Sequence, residues 1–148
     1  MGLILKEIFE ENIGLLIHDV GRLLRVLYDR QMASIGLTRS QWLLLTYLFF
    51  KDGINQKELA SLMDMEKAPL SRLLDRMEIK GWIIRRTESK DRRVKNIYLS
   101  ETVKPLIKSI REKAAKYRKD SLSILSDKEL NKLKDLLQIL KNDLTSKL

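Results

Sequence analysis

The sequence contains no cysteine. Disulfides, thiolate nucleophiles, cysteine-ligated metals and thiol redox sensing are therefore excluded. A single histidine, His18, rules out a multi-histidine metal site within one chain, and no cofactor is expected. Aromatic residues make up only 6%, so aliphatic packing should dominate the core. No run approaches the ~20 apolar residues needed to span a bilayer. Lys6, Glu7, Glu10 and Glu11 interrupt the order expected of a signal peptide, so the expectation is a soluble cytoplasmic protein without a membrane partner. Catalytic constellations are also missing: no paired-carboxylate site, no nucleophile–base pair and no phosphate loop can be placed. His18 and Asp19 are neighbours on one helix, where successive side chains diverge. An enzyme is not expected.

What remains is a 148-residue chain, 44% apolar and 33% charged, enough for one domain or one domain plus an oligomerisation element. Its net charge is +9, unevenly spread. Residues 1–50 balance 5 basic against 5 acidic, residues 51–100 carry 12 against 8, and residues 101–148 carry 12 against 7. A basic excess favours polyanionic partners, nucleic acid ahead of a membrane surface. Charge alone is weak support and needs a motif beside it.

Helix punctuation supplies one. Three segments place an apolar residue, a cap, and Glu or Gln three positions on: Leu37-Thr38 with Gln41, Ile54-Asn55 with Glu58, and Leu125-Ser126 with Glu129. In each, the cap can accept from a free backbone N–H while the third residue reaches back. Gly36, Gly53 and Gly81 follow apolar periodic segments, where a chain leaving a helix favours positive φ. Helices are predicted over 5–34, 39–51, 55–63 and 66–80. Trp82–Arg86 and Asn96–Leu99 then read as a β-hairpin. Ser100 is expected to cap a fifth helix and Ser126 to open a sixth. The fold class is mainly α with a small β-hairpin wing: a winged helix-turn-helix over 36–100, flanked by helical dimerisation regions at 1–35 and 101–148.

Within residues 55–80, Leu59, Leu62, Leu70, Leu73, Leu74 and Met77 fall at helical spacing on the side expected to pack. The turn Met63-Asp64-Met65 is short, as a helix-turn-helix requires. Pro69 lies in the first turn of the following helix, where a missing N–H leaves no bond unmade. That helix would present Lys67, Ala68, Pro69, Ser71, Arg72 and Arg76 to a major groove. Residues 85–95 hold six basic residues (Arg85, Arg86, Lys90, Arg92, Arg93, Lys95) against Glu88 and Asp91. Such a tip suits phosphates or a narrow, electronegative minor groove. Asp91, two residues before Arg93, is placed to hold that guanidinium in an aimed conformation. The plain alternative is an amphipathic helical hairpin with a solvated charged face.

The blocks GLTRSQWLLL, INQKELASLMDMEKAPLSRLLDRMEIKGWIIRR and DRRVKNIYLS, covering about residues 36–100, resemble the MarR family, including its SlyA-like members. Most specific is a D-x-R wing followed by a strand ending Leu-Ser/Thr, matched by Asp91, Arg93 and Leu99-Ser100. The resemblance implies a dimeric regulator in which Arg93 enters the minor groove, Asp91 orients it, and Lys67 through Arg76 line the major groove. Where the family often has a glycine shortly after Leu-Ser/Thr, this chain has Val103 and Lys104.

Leu133, Leu137, Leu140 and Leu144 form a stripe widened by Leu130, Leu136 and Ile139, and the first helix carries another through Ile13, Leu16, Val20, Leu23, Leu24 and Leu27. Together they exceed what a ~65-residue winged domain covers, which favours a homodimer over an intramolecular helix pair. A two-fold dimer implies a pseudo-palindromic operator on double-stranded DNA. The resemblance further implies repression relieved by a small phenolic or aromatic effector, with His18, Arg22, Trp42 and Tyr47 as conceivable ligand contacts. Trp42 and Tyr47 have core or staple roles as alternatives, and His18 that of a satisfied polar residue. Ligand-independent activation by displacing other DNA-coating proteins, and a winged-helix module that binds protein, are the competing functions.

Overall fold

The computed structural model describes residues 1, 12–87 and 90–148, so positions 5–11 of the expected first helix lie outside the described residues. Among the described residues six α-helices and three short strands follow one another: α1 (Ile13–Ala33), α2 (Arg39–Phe50), β1 (Ile54–Asn55), α3 (Gln56–Met63), α4 (Lys67–Ile79), β2 (Ile83–Arg86), β3 (Asn96–Leu99), a 3-10 turn (Glu101–Val103), α5 (Lys104–Ser121) and α6 (Asp127–Ser146). The chain forms two compact units, residues 1–114 and 115–148. This is the winged-helix arrangement expected from the sequence.

Local chemistry explains the boundaries. Thr38 and Ser126 form reciprocal capping boxes with Gln41 and Glu129. At the third site only half of the exchange forms. Asn55 accepts from the Glu58 N–H at 2.9 Å, while the Glu58 carboxylate turns to Lys51. Helices α1, α3 and α4 end in the same closure, a 6→1 and a 5→2 hydrogen bond around a left-handed residue. Those residues are Gly36 (φ 77°), Asp64 (φ 49°) and Gly81 (φ 71°). The aspartate in the helix-turn-helix turn carries no glycine signal, so sequence reading found the turn without its backbone state.

The wing is larger than the expected hairpin. β3 lies between β1 and β2 and pairs antiparallel with both, through Ile54↔Ile97 on one side and Ile83↔Leu99 on the other. The Asp52 carboxylate continues this edge by accepting from the Leu99 N–H at 2.8 Å. Ser100 does not cap with its side chain: its hydroxyl and that of Thr102 both donate to the Gly81 carbonyl. A 3-10 turn with buried Val103 precedes α5 instead.

The core of residues 1–114 joins Leu44, Leu45 and Leu48 of α2, Leu59 and Met63 of α3, and Leu70, Leu73, Leu74 and Met77 of α4. Ile54, Ile83 and Ile97 close it from the sheet, and Met32, Val103, Ile107 and Ile110 come from the flanking helical segments. Each such side chain contributes about 1.5–3 kcal/mol by leaving water. Leu62 is a correction: expected on the packed side, it is 43% exposed. The eight-residue α3 buries only the narrow face of Leu59 and Met63, and Leu62 sits at its edge. In residues 115–148, α6 has no buried residue at all.

Gly53 combines positive φ (79°) with closeness to its neighbour: an added Cβ would stand 2.8 Å from the Tyr98 ring. Gly53→Ala is therefore expected to destabilise the protein by about 1–3 kcal/mol, combining backbone strain with ring displacement. Urea denaturation checks it, and a loss within error of zero would show that loop and ring relax freely.

Candidate nucleic-acid interface

Helix α4 is anchored by Leu70, Leu73, Leu74 and Met77, all buried, which turns the opposite face outward. Lys67, Ala68, Arg72 and Arg76 are exposed, while Pro69 and Ser71 are half-buried. The first turn has no side-chain cap, since Glu66 makes no capping bond. Its first N–H groups thus have no side-chain cap among the described residues, and Pro69 removes one such donor without loss. Two residues absent from the expected set share this surface: Asp75, and Ile79, which is 86% exposed. Helical periodicity could have found both, because residues 68, 72, 75 and 79 fall on one side.

The basic cluster of the wing divides in two. Lys90, Arg92, Arg93 and Lys95 are exposed on the loop between β2 and β3. Arg85 is not at the tip: its side chain is only 16% exposed and bonds Glu78 (3.0 and 2.6 Å) and Asp75 (2.5 Å) on α4. Arg86 lies over the Tyr98 ring, 5.3 Å from its centroid. The Arg85 hydrogen bond, opposed by partial burial, holds the Glu78 carboxyl below its ordinary value. Asp91 accepts from the Arg93 backbone N–H at 2.9 Å, and its carbonyl accepts from the Val94 N–H at 3.1 Å. The contact fixes the backbone turn from which Arg93 projects.

Of the residues considered for ligand contact, His18 stands apart from Trp42 along α1. His18 and Arg22 are exposed on α1, and Arg22 pairs with Asp19 at 3.3 Å. Trp42 packs edge-on to Tyr28 at 4.5 Å and donates its ring N–H to Asp29 at 2.9 Å. His18 precedes Tyr28 by ten helical residues, about 15 Å along the axis. Tyr47 packs against the core from α2.

Asp29 also receives Arg39, joining α1 to the start of α2. Burial raises its pKa, but the bonds from Arg39 and Trp42, with attraction from Arg39 and Arg25, outweigh it and leave the carboxyl below 3.8. A depressed carboxyl stabilises the fold above its unfolded value, and that stability is lost as pH falls through the folded one. The stability gap between wild type and Asp29→Asn is expected to stay constant above about pH 5 and close on acidification below 3.8. Urea midpoints across that range check this, and a gap that widens in acid would contradict it.

Among the described residues no helix is long and apolar enough to cross a membrane. The model of the MarR family matches residues 37–95, the span of α2 through the wing. The chain is 32% identical to the solved transcriptional regulator PA3341, covering 91% of this chain and 99% of that one, with a TM-score of 0.81. A MarR transcriptional regulator from Methanosarcina mazei Go1 has the same fold at 23% identity, with a TM-score of 0.80 and coverage of 92% and 98%. So does a cysteine-to-serine mutant of MarR from E. coli complexed with operator DNA, at 22% identity, TM-score 0.75, and coverage of 86% and 92%. With the family model over the helix-turn-helix and wing, and 32% identity to a regulator matched over 91% of this chain, the chain belongs to the MarR family of transcriptional regulators.

Proposed function

We propose that this protein binds double-stranded DNA sequence-specifically as a homodimer and represses transcription. The observation that carries the reading is the outward face of α4, with Lys67, Ala68, Arg72 and Arg76, standing beside an exposed wing loop with Lys90, Arg92, Arg93 and Lys95. The helix offers side chains that reach base edges, and the loop offers cations for phosphates and minor groove. The E. coli relative solved with operator DNA supports the same use of the fold. Dimerisation is supported by two stripes left in water: Ile13, Leu16, Val20, Leu23 and Leu27 on α1, and Leu133, Leu137, Leu140 and Leu144 on α6. A second copy would cover such stripes and set two recognition helices one DNA turn apart, on a pseudo-palindromic operator.

Repression follows from occupying such an operator where transcription starts. Release by a small phenolic or aromatic ligand belongs to the same proposal. Because His18 lies about 15 Å along α1 from the Tyr28–Trp42 pair in one chain, the dimer would have to complete a site containing both. The test titrates the protein onto DNA upstream of its own gene and onto a scrambled duplex, at several salt concentrations. Expected are a clear preference for the upstream DNA and a steep loss of affinity with salt. Indiscriminate binding would replace the regulator with an architectural protein. A folded dimer that binds no DNA at low salt would overturn the proposal and favour a protein-interaction module.

A further inference from the structure

We propose that Arg85 is a positioning residue that sets the wing's stance against α4, and with it the protein's preference for base pairs flanking the major-groove half-site. The inference rests on the DNA-binding reading above. Arg85 is paired opposite Ile97 in the sheet and shares the inward side of β2 with Ile83, by the two-residue alternation of a strand. Ile83 and Ile97 are buried in the core, so Arg85 continues an apolar face to its edge. There its guanidinium meets carboxylates from two residues of α4 spaced three apart, Asp75 and Glu78. Its Nε and one terminal nitrogen reach Glu78 while that terminal nitrogen also reaches Asp75, and a planar group held through two nitrogens fixes the rotation of strand against helix, which the point charge of a lysine cannot do.

One residue later Arg86 covers the Tyr98 ring, and residues 90–95 are all exposed. The angle at which the loop leaves the domain is therefore inherited from the strand ends, and the β2 end is held by Arg85. The same contact neutralises two carboxylates on the helix that faces DNA. Partly exposed ion pairs add little to global stability, so Arg85 variants should fold.

The experiment compares wild type with Arg85→Gln, Arg85→Lys and the double variant Asp75→Asn/Glu78→Gln. Each binds two versions of the upstream DNA, one of full length and one trimmed of base pairs beyond the half-sites. Wild type should prefer the full duplex, and Arg85→Gln should reduce that preference roughly ten-fold, the factor one charge-assisted contact carries. Arg85→Lys should restore little of it, and the salt slope should not change because Arg85 meets carboxylates rather than phosphates. The double variant removes two negative charges near DNA, so it should bind the trimmed duplex more tightly yet lose the flank preference.

In the free protein, hydrogen exchange of β2 and β3 amides should quicken in Arg85→Gln while α2 stays unchanged. Equal losses on both duplexes would reduce Arg85 to a structural residue, and a shallower salt slope would make it a direct phosphate contact. Either result, or unchanged exchange, overturns the inference. A wild type that binds neither duplex would instead overturn the DNA-binding reading, with exchange still deciding whether Arg85 holds the wing.

Discussion

Arg93→Ala is expected to weaken binding of the upstream DNA by roughly a hundred-fold without moving the melting temperature. A charge-assisted contact to a phosphate or base edge contributes about 1.5–3 kcal/mol, and 1.4 kcal/mol is a factor of ten. A symmetric dimer loses the contact twice, so the factors multiply. Arg93 is exposed on the wing loop and its bond to Asp91 runs through the backbone N–H, which alanine keeps. The turn should survive while the cation disappears. The same titrations should show the salt slope falling by about 2, near 0.9 for each lost phosphate contact. An affinity within three-fold of wild type would remove Arg93 from the interface and leave α4 and the other wing cations to carry binding.

Leu137→Glu combined with Leu140→Glu is expected to convert the dimer to monomers and abolish specific DNA binding. Both side chains are nearly half exposed in the single chain, at 42% and 45%, so the substitutions disturb little inside one protomer. In the proposed dimer four leucines would be buried, each contributing about 1.5–3 kcal/mol, and glutamates there would bring unpaired charges into an apolar seam. Sedimentation velocity reads the mass, and circular dichroism shows whether the monomer keeps its helices. A variant that sediments as a dimer would exclude this stripe from the interface. A monomer retaining full affinity and specificity would detach dimerisation from recognition.

What the sequence disclosed was mostly local. The Thr38/Gln41 and Ser126/Glu129 boxes and the turns at Gly36 and Gly81 depend on residues within five positions of each other, so spacing reveals them. The buried side of α4 followed from periodicity for the same reason. What stayed hidden depends on partners distant in the chain. Ile54-Asn55 reads as a staple and a cap; it becomes a strand because Asn96-Ile97 returns beside it. Arg85 looks like one of six wing cations until α4 supplies Asp75 and Glu78. Ser100 looks like a cap until the Gly81 carbonyl arrives to accept its hydrogen bond. For the interface, residue types and sequence order were legible, whereas the split of the wing cations into exposed and sequestered was not.

Met32, Val103, Ile107 and Ile110 complete the core around α2, α3 and α4 although they lie outside residues 36–100. A fragment limited to the helix-turn-helix and wing would forfeit all four. At about 1.5–3 kcal/mol each, the loss rivals the 5–15 kcal/mol that holds an ordinary domain together. Residues 36–100 alone are thus expected not to hold their fold as a separate module. Protease nicking that freed it from its flanking helices would yield an unfolded peptide rather than a miniature competitor for the operator. Partial degradation is then expected to leave behind no fragment that blocks the site.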